Sequence, residues 1–125
     1  MGDEKLNRIY SKRCIGNQYE DIAVDYLIKQ GYKILERNFY SRHKEIDIIA
    51  RDKQYIVFVE VKYRKDDSKG SALESISYRK KMNIIKSAKF YLYKHYYGRD
   101  IPVRFDVVCI QDEDISLIKD AFWIE

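Results

Sequence analysis

The sequence contains few of the residues that cross-link, interrupt or anchor a chain. Its two cysteines, Cys14 and Cys109, lie far apart, without metal-ligand spacing or a nearby histidine that would activate a thiolate. One proline, five glycines and no low-complexity tract leave no obvious place for a linker. No apolar run approaches the roughly 18 residues of a membrane span, and no signal or lipidation motif is present. We therefore expect reduced cysteines, a cytoplasmic location and no membrane partner.

The composition is that of one folded domain. The chain has 125 residues, of which 46% are hydrophobic, enough to form a core of its own. Residues 1–15 are mostly polar and charged, so we predict an N-terminal arm followed by a single domain over residues 16–125. The net charge of +4 and the pI near 8.9 favour a polyanionic partner without identifying one.

Hydrophobic periodicity predicts two helices and five strands. An apolar stripe at helical spacing predicts a helix over residues 16–30, closed by Gly31, and a second stripe predicts a helix over residues 77–97, stopped by Gly98. Strands are predicted over residues 32–38, 45–50, 55–63, 103–110 and 115–118. The order is helix, three strands, helix, two strands. It favours an α/β fold in which a helix covers each face of a mixed sheet.

Charged residues interrupt two of the apolar strands. Asp47 lies within Glu45–Ala50, and Glu60 and Lys62 lie within Tyr55–Tyr63. A strand that serves only to pack has little use for charge, so these three residues are the first candidates for chemistry. The short polar segment between the two stretches predicts a β-hairpin.

The register of this hairpin decides whether the two acids meet. A turn centred between Lys53 and Gln54 sets Asp47 opposite Glu60, with Lys62 on the same face. Opposed carboxylates repel unless a cation such as Mg²⁺ lies between them, and Lys62 could orient or deprotonate a water or hold a phosphate. The alternative is a solvated strand edge with a surface ion pair, and a slip of one residue would separate the acids.

An acid on the first helix, followed by an aspartate and then Glu-x-Lys on consecutive strands, resembles the restriction-endonuclease-like, or PD-(D/E)xK, nuclease superfamily. More narrowly, the chain resembles the YraN family of small uncharacterised bacterial proteins. The matching segments cover most of residues 16–125 in order. They are Gly16–Ala23, Gly31–Asn38, Glu45–Ala50, Val57–Arg64 and Arg104–Val108.

The resemblance implies a restriction-endonuclease-like αβββαβ core, with a mixed central sheet flanked by helices. It implies that Asp47, Glu60 and the backbone carbonyl of Val61 bind Mg²⁺ or Mn²⁺, and that Lys62 assists the nucleophilic water. Glu20 matches a helical acid that some superfamily members direct into the same site. Its alternative role is that of a solvated acid near the helix N-terminus, where the macrodipole favours negative charge.

Two positions depart from the pattern. Ile46 replaces the proline that often precedes the superfamily aspartate, and Lys44 replaces the small residue that is usual in the family. The superfamily also contains members that bind nucleic acid without cutting it, so the fold does not guarantee activity.

Basic residues near the predicted site favour nucleic acid as the partner, although those on the second helix could equally form its solvated face. The candidates for nucleic-acid binding are Arg42, Lys44, Arg64, Arg79, Lys80, Lys81 and Lys86. Four tyrosines crowd the end of the same helix. For these tyrosines we favour core packing and a homodimer contact over stacking on bases. They are Tyr91, Tyr93, Tyr96 and Tyr97.

These features predict a cytoplasmic, metal-dependent nuclease acting on DNA, with the Holliday-junction resolvase relatives suggesting branched or recombination-type substrates. The first alternative is a non-catalytic nucleic-acid-binding module with the same fold. The second is a protein-interaction domain that uses the tyrosine-rich helix as its contact surface.

Overall fold

Five strands form one mixed sheet in the computed structural model, which describes residues 18–42, 45–65 and 73–123. The strands are β1 (Lys33–Tyr40), β2 (Glu45–Asp52), β3 (Tyr55–Arg64), β4 (Val103–Gln111) and β5 (Asp114–Ile118). Helix α1 covers residues 18–29, and helix α2 runs from Tyr78 to Tyr96. The sheet order follows the chain order. The predicted succession of elements is confirmed.

Strands β3 and β4 are parallel, and every other neighbouring pair is antiparallel. A parallel connection needs a long crossover, which α2 provides between these two strands. The sheet is therefore mixed, as predicted, and each of its faces is covered by apolar side chains. The face toward α1 buries Ala23, Leu27, Ile48, Val57, Val59 and Val108. The face toward α2 buries Ile49, Phe58, Ile84, Ala88 and Phe105.

The helix ends follow the predicted signals with small shifts. Gly31 has a φ of +94°, the left-handed conformation expected of a residue that closes a helix. Ser77 caps α2, since its side chain accepts a hydrogen bond of 3.1 Å from the backbone N–H of Lys80. At the other end Tyr97, with a φ of 52°, forms the cap one residue before Gly98. Residue 97 was predicted to be helical, so this boundary was wrong by one residue.

The strands are longer than the sequence predicted. Residues 51 and 52 were assigned to the hairpin turn but pair within β2, which leaves only Lys53 and Gln54 in the turn. Tyr40 was assigned to a loop but pairs with Glu45. Arg64 was likewise assigned to a loop but ends β3. These residues were predicted to lie in turns because they are polar. They nevertheless belong to strands, because strand ends are set by backbone hydrogen bonds and not by side-chain polarity. The predicted arm over residues 1–15 lies outside the described residues.

The tyrosine prediction for α2 was correct in part. Tyr91 is buried and packs edge-on against Phe58, as expected of a core residue. Tyr93 and Tyr97, in contrast, are 74% and 82% exposed, so they do not belong to the core, and the dimer contact for them stays a prediction. Cys109 is a buried free cysteine. Within the described ranges, no helix combines the length and apolarity that crossing a bilayer requires.

A buried polar network lies at the turn end of the hairpin, five residues along β2 from Asp47. The carboxylate of Asp106 accepts hydrogen bonds from Nε of Arg104 at 2.9 Å, the Tyr32 hydroxyl at 2.7 Å and the backbone N–H of Asp120 at 3.0 Å. Arg104 also donates to Asp52 at 2.8 Å. The network therefore joins β2, β4, the segment after α1 and the chain that follows β5.

We expect Asp106→Ala to lower the free energy of unfolding at pH 7 by about 3–5 kcal/mol, because it leaves Arg104 buried without its main partner. Urea denaturation measures this loss. The matched control is Asp25→Ala on α1, whose carboxylate pairs with Lys29 but is 65% exposed, and it should change stability by less than about 0.5 kcal/mol. Equal small losses in both variants would contradict the structural role of the network.

Candidate active site

The hairpin register brings Asp47 and Glu60 together. The backbone ladder between β2 and β3 runs from the two-residue turn to the pair Ile48↔Val59, which confirms the predicted register over that length. The ladder ends there, one step before Asp47 and Glu60, and the two acids are close enough for the charge of Glu60 to raise the pKa of Asp47. At that point Oδ2 of Asp47 accepts a hydrogen bond of 2.9 Å from the backbone N–H of Val61. The side chain of Asp47 is therefore fixed against β3.

Glu60 is buried and forms an ion pair with Lys80 of α2. Lys80 lies one turn before Ile84, which is buried against the sheet, so the helix places both residues on its inner side. From the sequence, Lys80 was grouped with the phosphate-binding residues. The structure instead directs its ammonium group into the acidic site.

Glu20 reaches the same region from α1. It is only 8% exposed, and its Oε1 accepts hydrogen bonds from Nε of Arg37 at 3.0 Å and from Nδ2 of Asn38 at 2.9 Å. The alternative role of Glu20 as a solvated acid is therefore wrong. Beside it, the rings of Tyr19 and Tyr63 stack with their centroids 4.1 Å apart and tie α1 to the end of β3.

Burial and mutual repulsion both act on a group of acids that we call the acidic cluster: Glu20, Glu45, Asp47 and Glu60. Burial, together with the negative charge of Glu60, raises the pKa of Asp47 to about 7, whereas the hydrogen bond from the Val61 N–H acts in the opposite direction. Glu20 and Glu45 add smaller contributions. Burial also raises the pKa of Glu45, with Glu20 and Glu60 contributing. The negative charges of Asp47 and Glu45 are therefore disfavoured in the fold.

The acidic cluster offers the donor atoms that a hard divalent cation requires. Mg²⁺ is commonly held by one or two carboxylates and completes its shell with waters and substrate phosphate. Asp47 and Glu60 supply two such carboxylates, and their mutual repulsion is what a cation would relieve. Among residues 18–42, 45–65 and 73–123, no three His, Cys, Asp or Glu side chains gather closely enough to form a complete ligand set.

The other predicted ligand and the site lysine lie on β3. An extended residue points its N–H and its carbonyl toward the same neighbouring strand, so the Val61 carbonyl lies on the side of Asp47. Its role as a ligand stays a prediction. Lys62 is half-buried, two residues beyond Glu60 on the same face. Its role as a helper of the nucleophilic water also stays a prediction.

The structure brings two of the predicted nucleic-acid-binding residues together. Arg42 follows β1, Arg64 ends β3, and Arg79, Lys81 and Lys86 lie on α2. Arg42 and Lys86 line the same cleft, whereas Lys81 lines a second cleft together with Lys89. Lys44 is outside the described residues. The structure thus groups Arg42 with Lys86, and none of the contacts described for the others joins them to this pair.

Residues 19–110 match the family described as Uncharacterised protein family UPF0102. The chain belongs to this family. It is 50% identical over 110 residues to a UPF0102 protein of Persephonella marina, covering 86% of this chain and 91% of that protein. A Fusobacterium nucleatum relative is 43% identical over 111 residues, covering 89% and 92%. A Vibrio parahaemolyticus relative is 44% identical over 115 residues, covering 90% and 95%.

The resemblance to the YraN family is thereby confirmed, since UPF0102 is that family. The family description names no activity, so a function for this UPF0102 protein has to come from its site. Sequence reasoning missed two parts of the structure. It did not place Lys80 against Glu60, although helical periodicity puts Lys80 on the inner face of α2. It also overlooked Arg104 and Asp106, which are charges inside an apolar strand, the same signal that identified Asp47.

The raised pKa of Asp47 makes the stability of the protein depend on pH. The pKa of Asp47 in the folded protein lies above its ordinary value of 3.8, so its neutral form is the one that the fold favours. The contribution of Asp47 to stability is therefore fully present below about pH 4 and is lost as the pH rises through about 7. Asp47→Asn removes the charge and keeps an oxygen that can accept from Val61. Relative to wild type, it should gain about 2–4 kcal/mol of stability between pH 4 and pH 8.

Urea denaturation across this pH range measures the gain. Asp25→Asn, which removes an exposed carboxylate on the other face of the sheet, is the control and should show no such rise. If the difference in the free energy of unfolding between Asp47→Asn and wild type does not change from pH 4 to pH 8, the pKa of Asp47 is not raised by the fold.

Proposed function

We propose that this UPF0102 protein is a metal-dependent nuclease that hydrolyses phosphodiester bonds in DNA. The observation that carries the proposal is the pair of neighbouring acids at the end of the hairpin ladder: Asp47 is fixed by the Val61 N–H, and Glu60 is buried. Neighbouring like charges are unfavourable without a cation. A protein that needed only a stable hairpin would gain from replacing Asp47.

Each residue of the site has a task in this reaction. Bound Mg²⁺ or Mn²⁺ would supply Lewis acidity, lowering the pKa of a bound water and stabilising charge on the phosphate. Asp47 and Glu60 would hold the ion, with the Val61 carbonyl as a further ligand. Lys62, on the same face, would orient the water or hold a phosphate oxygen. Glu20 adds negative charge from α1 and is itself held by Arg37.

The charge distribution supports a polyanionic substrate. Helix α2 contains six lysines and arginines and no acidic residue. Its first turn also carries basic residues, although the helix dipole favours acids there. This placement costs helix stability and is better explained by a bound anion than by folding. The substrate we propose is DNA, and the Holliday-junction resolvase relatives of the superfamily favour branched or recombination-type DNA.

The second candidate function is a nucleic-acid-binding module without catalysis. The ion pair between Lys80 and Glu60 supports it, because an ammonium group can neutralise Glu60 where a metal otherwise would. In this case the lysines and arginines of α2 bind nucleic acid, and the acidic cluster has only a structural role. The two functions differ in whether the cluster takes up a cation.

We expect the wild-type protein to cleave branched, single-stranded or duplex DNA in the presence of Mn²⁺ or Mg²⁺, and Asp47→Ala to reduce the rate at least about 100-fold. Even residues that only support metal ligands contribute about 10–100-fold, and a ligand should contribute no less. Gel assays on the three substrates measure the rates. Calorimetry should detect Mn²⁺ uptake that is lost in Asp47→Ala and in Glu60→Gln.

Asp25→Ala, which removes an exposed acid on α1, is the control and should cleave like wild type. Cleavage that persists in Asp47→Ala would point to a contaminating nuclease. Absence of both cleavage and Mn²⁺ uptake in the wild type would rule out the nuclease and leave the binding module.

Lys80→Met tests whether Lys80 and a metal compete for Glu60. Breaking a buried ion pair costs 3–5 kcal/mol, and because the Lys80 side chain is 25% exposed we expect a loss of about 1–3 kcal/mol. Millimolar Mn²⁺ should then raise the Tm of Lys80→Met more than that of wild type, since ligand binding to the folded state stabilises it. Thermal denaturation with and without Mn²⁺ measures both effects.

Lys29→Met serves as the control, because Lys29 pairs with Asp25 at the surface. Its Tm should respond to Mn²⁺ as the wild type does. If Mn²⁺ stabilises Lys80→Met no more than wild type, the two cations do not share Glu60.

A further inference from the structure

The outward face of α2 carries basic and aromatic side chains that the fold leaves exposed. Five residues at positions i, i+3, i+4, i+7 and i+8 lie on one side of the helix. We call them the α2 stripe: Lys86, Lys89, Phe90, Tyr93 and Lys94. The opposite side of the helix contributes Ile84, Ala88 and Tyr91 to the core. Phe90 contacts the buried ring of Phe39, with the centroids 6.3 Å apart, but all five stripe residues remain exposed, so burial of α2 against the sheet accounts for only part of the stripe.

The aromatic members of the stripe are unusually accessible. Phe90 is 51% exposed and Tyr93 is 74% exposed. They are three residues apart, which corresponds to a rise of about 4.5 Å along the helix. Exposed aromatic rings interleaved with lysines are the arrangement that proteins use to stack successive bases while neutralising the phosphates between them.

A cleft joins the stripe to the end of the sheet that carries the acidic cluster. Ser41, Arg42, Lys86 and Phe90 line a cavity of about 430 Å³, large enough for a nucleotide. The Ser41 and Ser87 hydroxyls are hydrogen-bonded at 2.6 Å, which attaches the end of β1 to α2. The neighbouring residue of β1, Tyr40, pairs with Glu45, two residues before Asp47. The cleft therefore lies at the end of β1 that pairs with Glu45, a member of the acidic cluster.

Both charge and shape select the occupant of this surface. Arg42 and Lys86 place two cations on one cleft, next to the exposed ring of Phe90. A phosphate can pair with the two cations, and the π-face of a base can stack on the aromatic ring. In a duplex the base faces are stacked on one another and are not available to side chains. An unpaired strand presents both groups at once.

We propose that the α2 stripe, together with Arg42, is the binding surface for an unpaired DNA strand. Arg42 and Lys86 contact phosphates, and the rings of Phe90 and Tyr93 stack on successive bases. The strand then leads toward Asp47. This inference rests on the proposed function for its choice of DNA, and it narrows the substrate class to DNA with single-stranded segments, such as flaps, gaps and branch points.

The test is fluorescence anisotropy with a labelled oligothymidylate of about 20 nucleotides and a duplex of the same length, in EDTA so that no hydrolysis occurs. The wild type should bind the single strand more tightly than the duplex. Phe90→Ala and Tyr93→Ala should each weaken single-strand binding about five-fold or more. Lys86→Ala should reduce the slope of log K against log salt concentration by about 0.7.

Two variants on α1, on the other side of the sheet, are matched controls. Ile28 is 54% exposed, close to the value for Phe90, and Lys29 is a surface lysine. Ile28→Ala and Lys29→Ala should bind the single strand within about two-fold of wild type, since each lies away from the stripe. Circular dichroism checks that every variant is folded, which the exposure of the substituted residues favours.

Tighter binding of the duplex, or Phe90 and Tyr93 variants that bind like wild type, would overturn the inference. It would also be overturned if these variants dissociated a dimer in sedimentation without changing strand affinity. The nuclease proposal is tested separately. If the protein binds single strands as expected but cleaves no DNA with Mn²⁺, the nuclease function is refuted and the binding role of the α2 stripe remains. If the protein cleaves DNA and Phe90→Ala does not change the rate, only the binding role of the stripe is refuted.

Discussion

The burial of Asp47 beside the charge of Glu60 is the constraint from which the rest of the site follows. The hairpin brings the two acids together at the end of its ladder, and low solvent exposure strengthens their repulsion. The fold responds with the Val61 N–H on Asp47 and the Lys80 ammonium on Glu60. Asp47 still keeps a pKa near 7, so these two partners do not balance the charge. A divalent cation is the species whose charge and ligand preference would do so.

The fold holds this unfavourable site because other interactions fix the strands that carry it. Apolar layers bury both faces of β2 and β3 against the two helices. At the far end of the hairpin, Arg104 of β4 donates hydrogen bonds to Asp52 and Asp106 and so ties β2 to the rest of the sheet. Stabilising and destabilising polar groups thus occupy opposite ends of the same hairpin. Proteins commonly retain such local strain where it serves a function.

Much of the fold was predictable because its signals are local. Alternation of apolar residues located the strands, helical spacing located both helices, and the two-residue turn fixed a register that the ladder follows as far as the pair Ile48↔Val59. The boundaries were less predictable, since backbone pairing extends β1 to Tyr40 despite its exposure. The contacts of Lys80 and Arg104 could not be assigned because they depend on how α2 crosses the sheet and how β4 joins β3. Sequence spacing does not encode those long-range placements.

The most direct test of the account is a ¹³C NMR titration of the Asp47 carboxyl group with and without Mg²⁺. We expect a pKa near 7 in the absence of metal and a clear fall on addition of Mg²⁺, since an ion bound to the carboxylate favours its charged form. Glu60→Gln should lower the metal-free pKa by removing the charge opposite Asp47. An ordinary aspartate pKa that is unaffected by either change would contradict the claim that the two acids form a cation site.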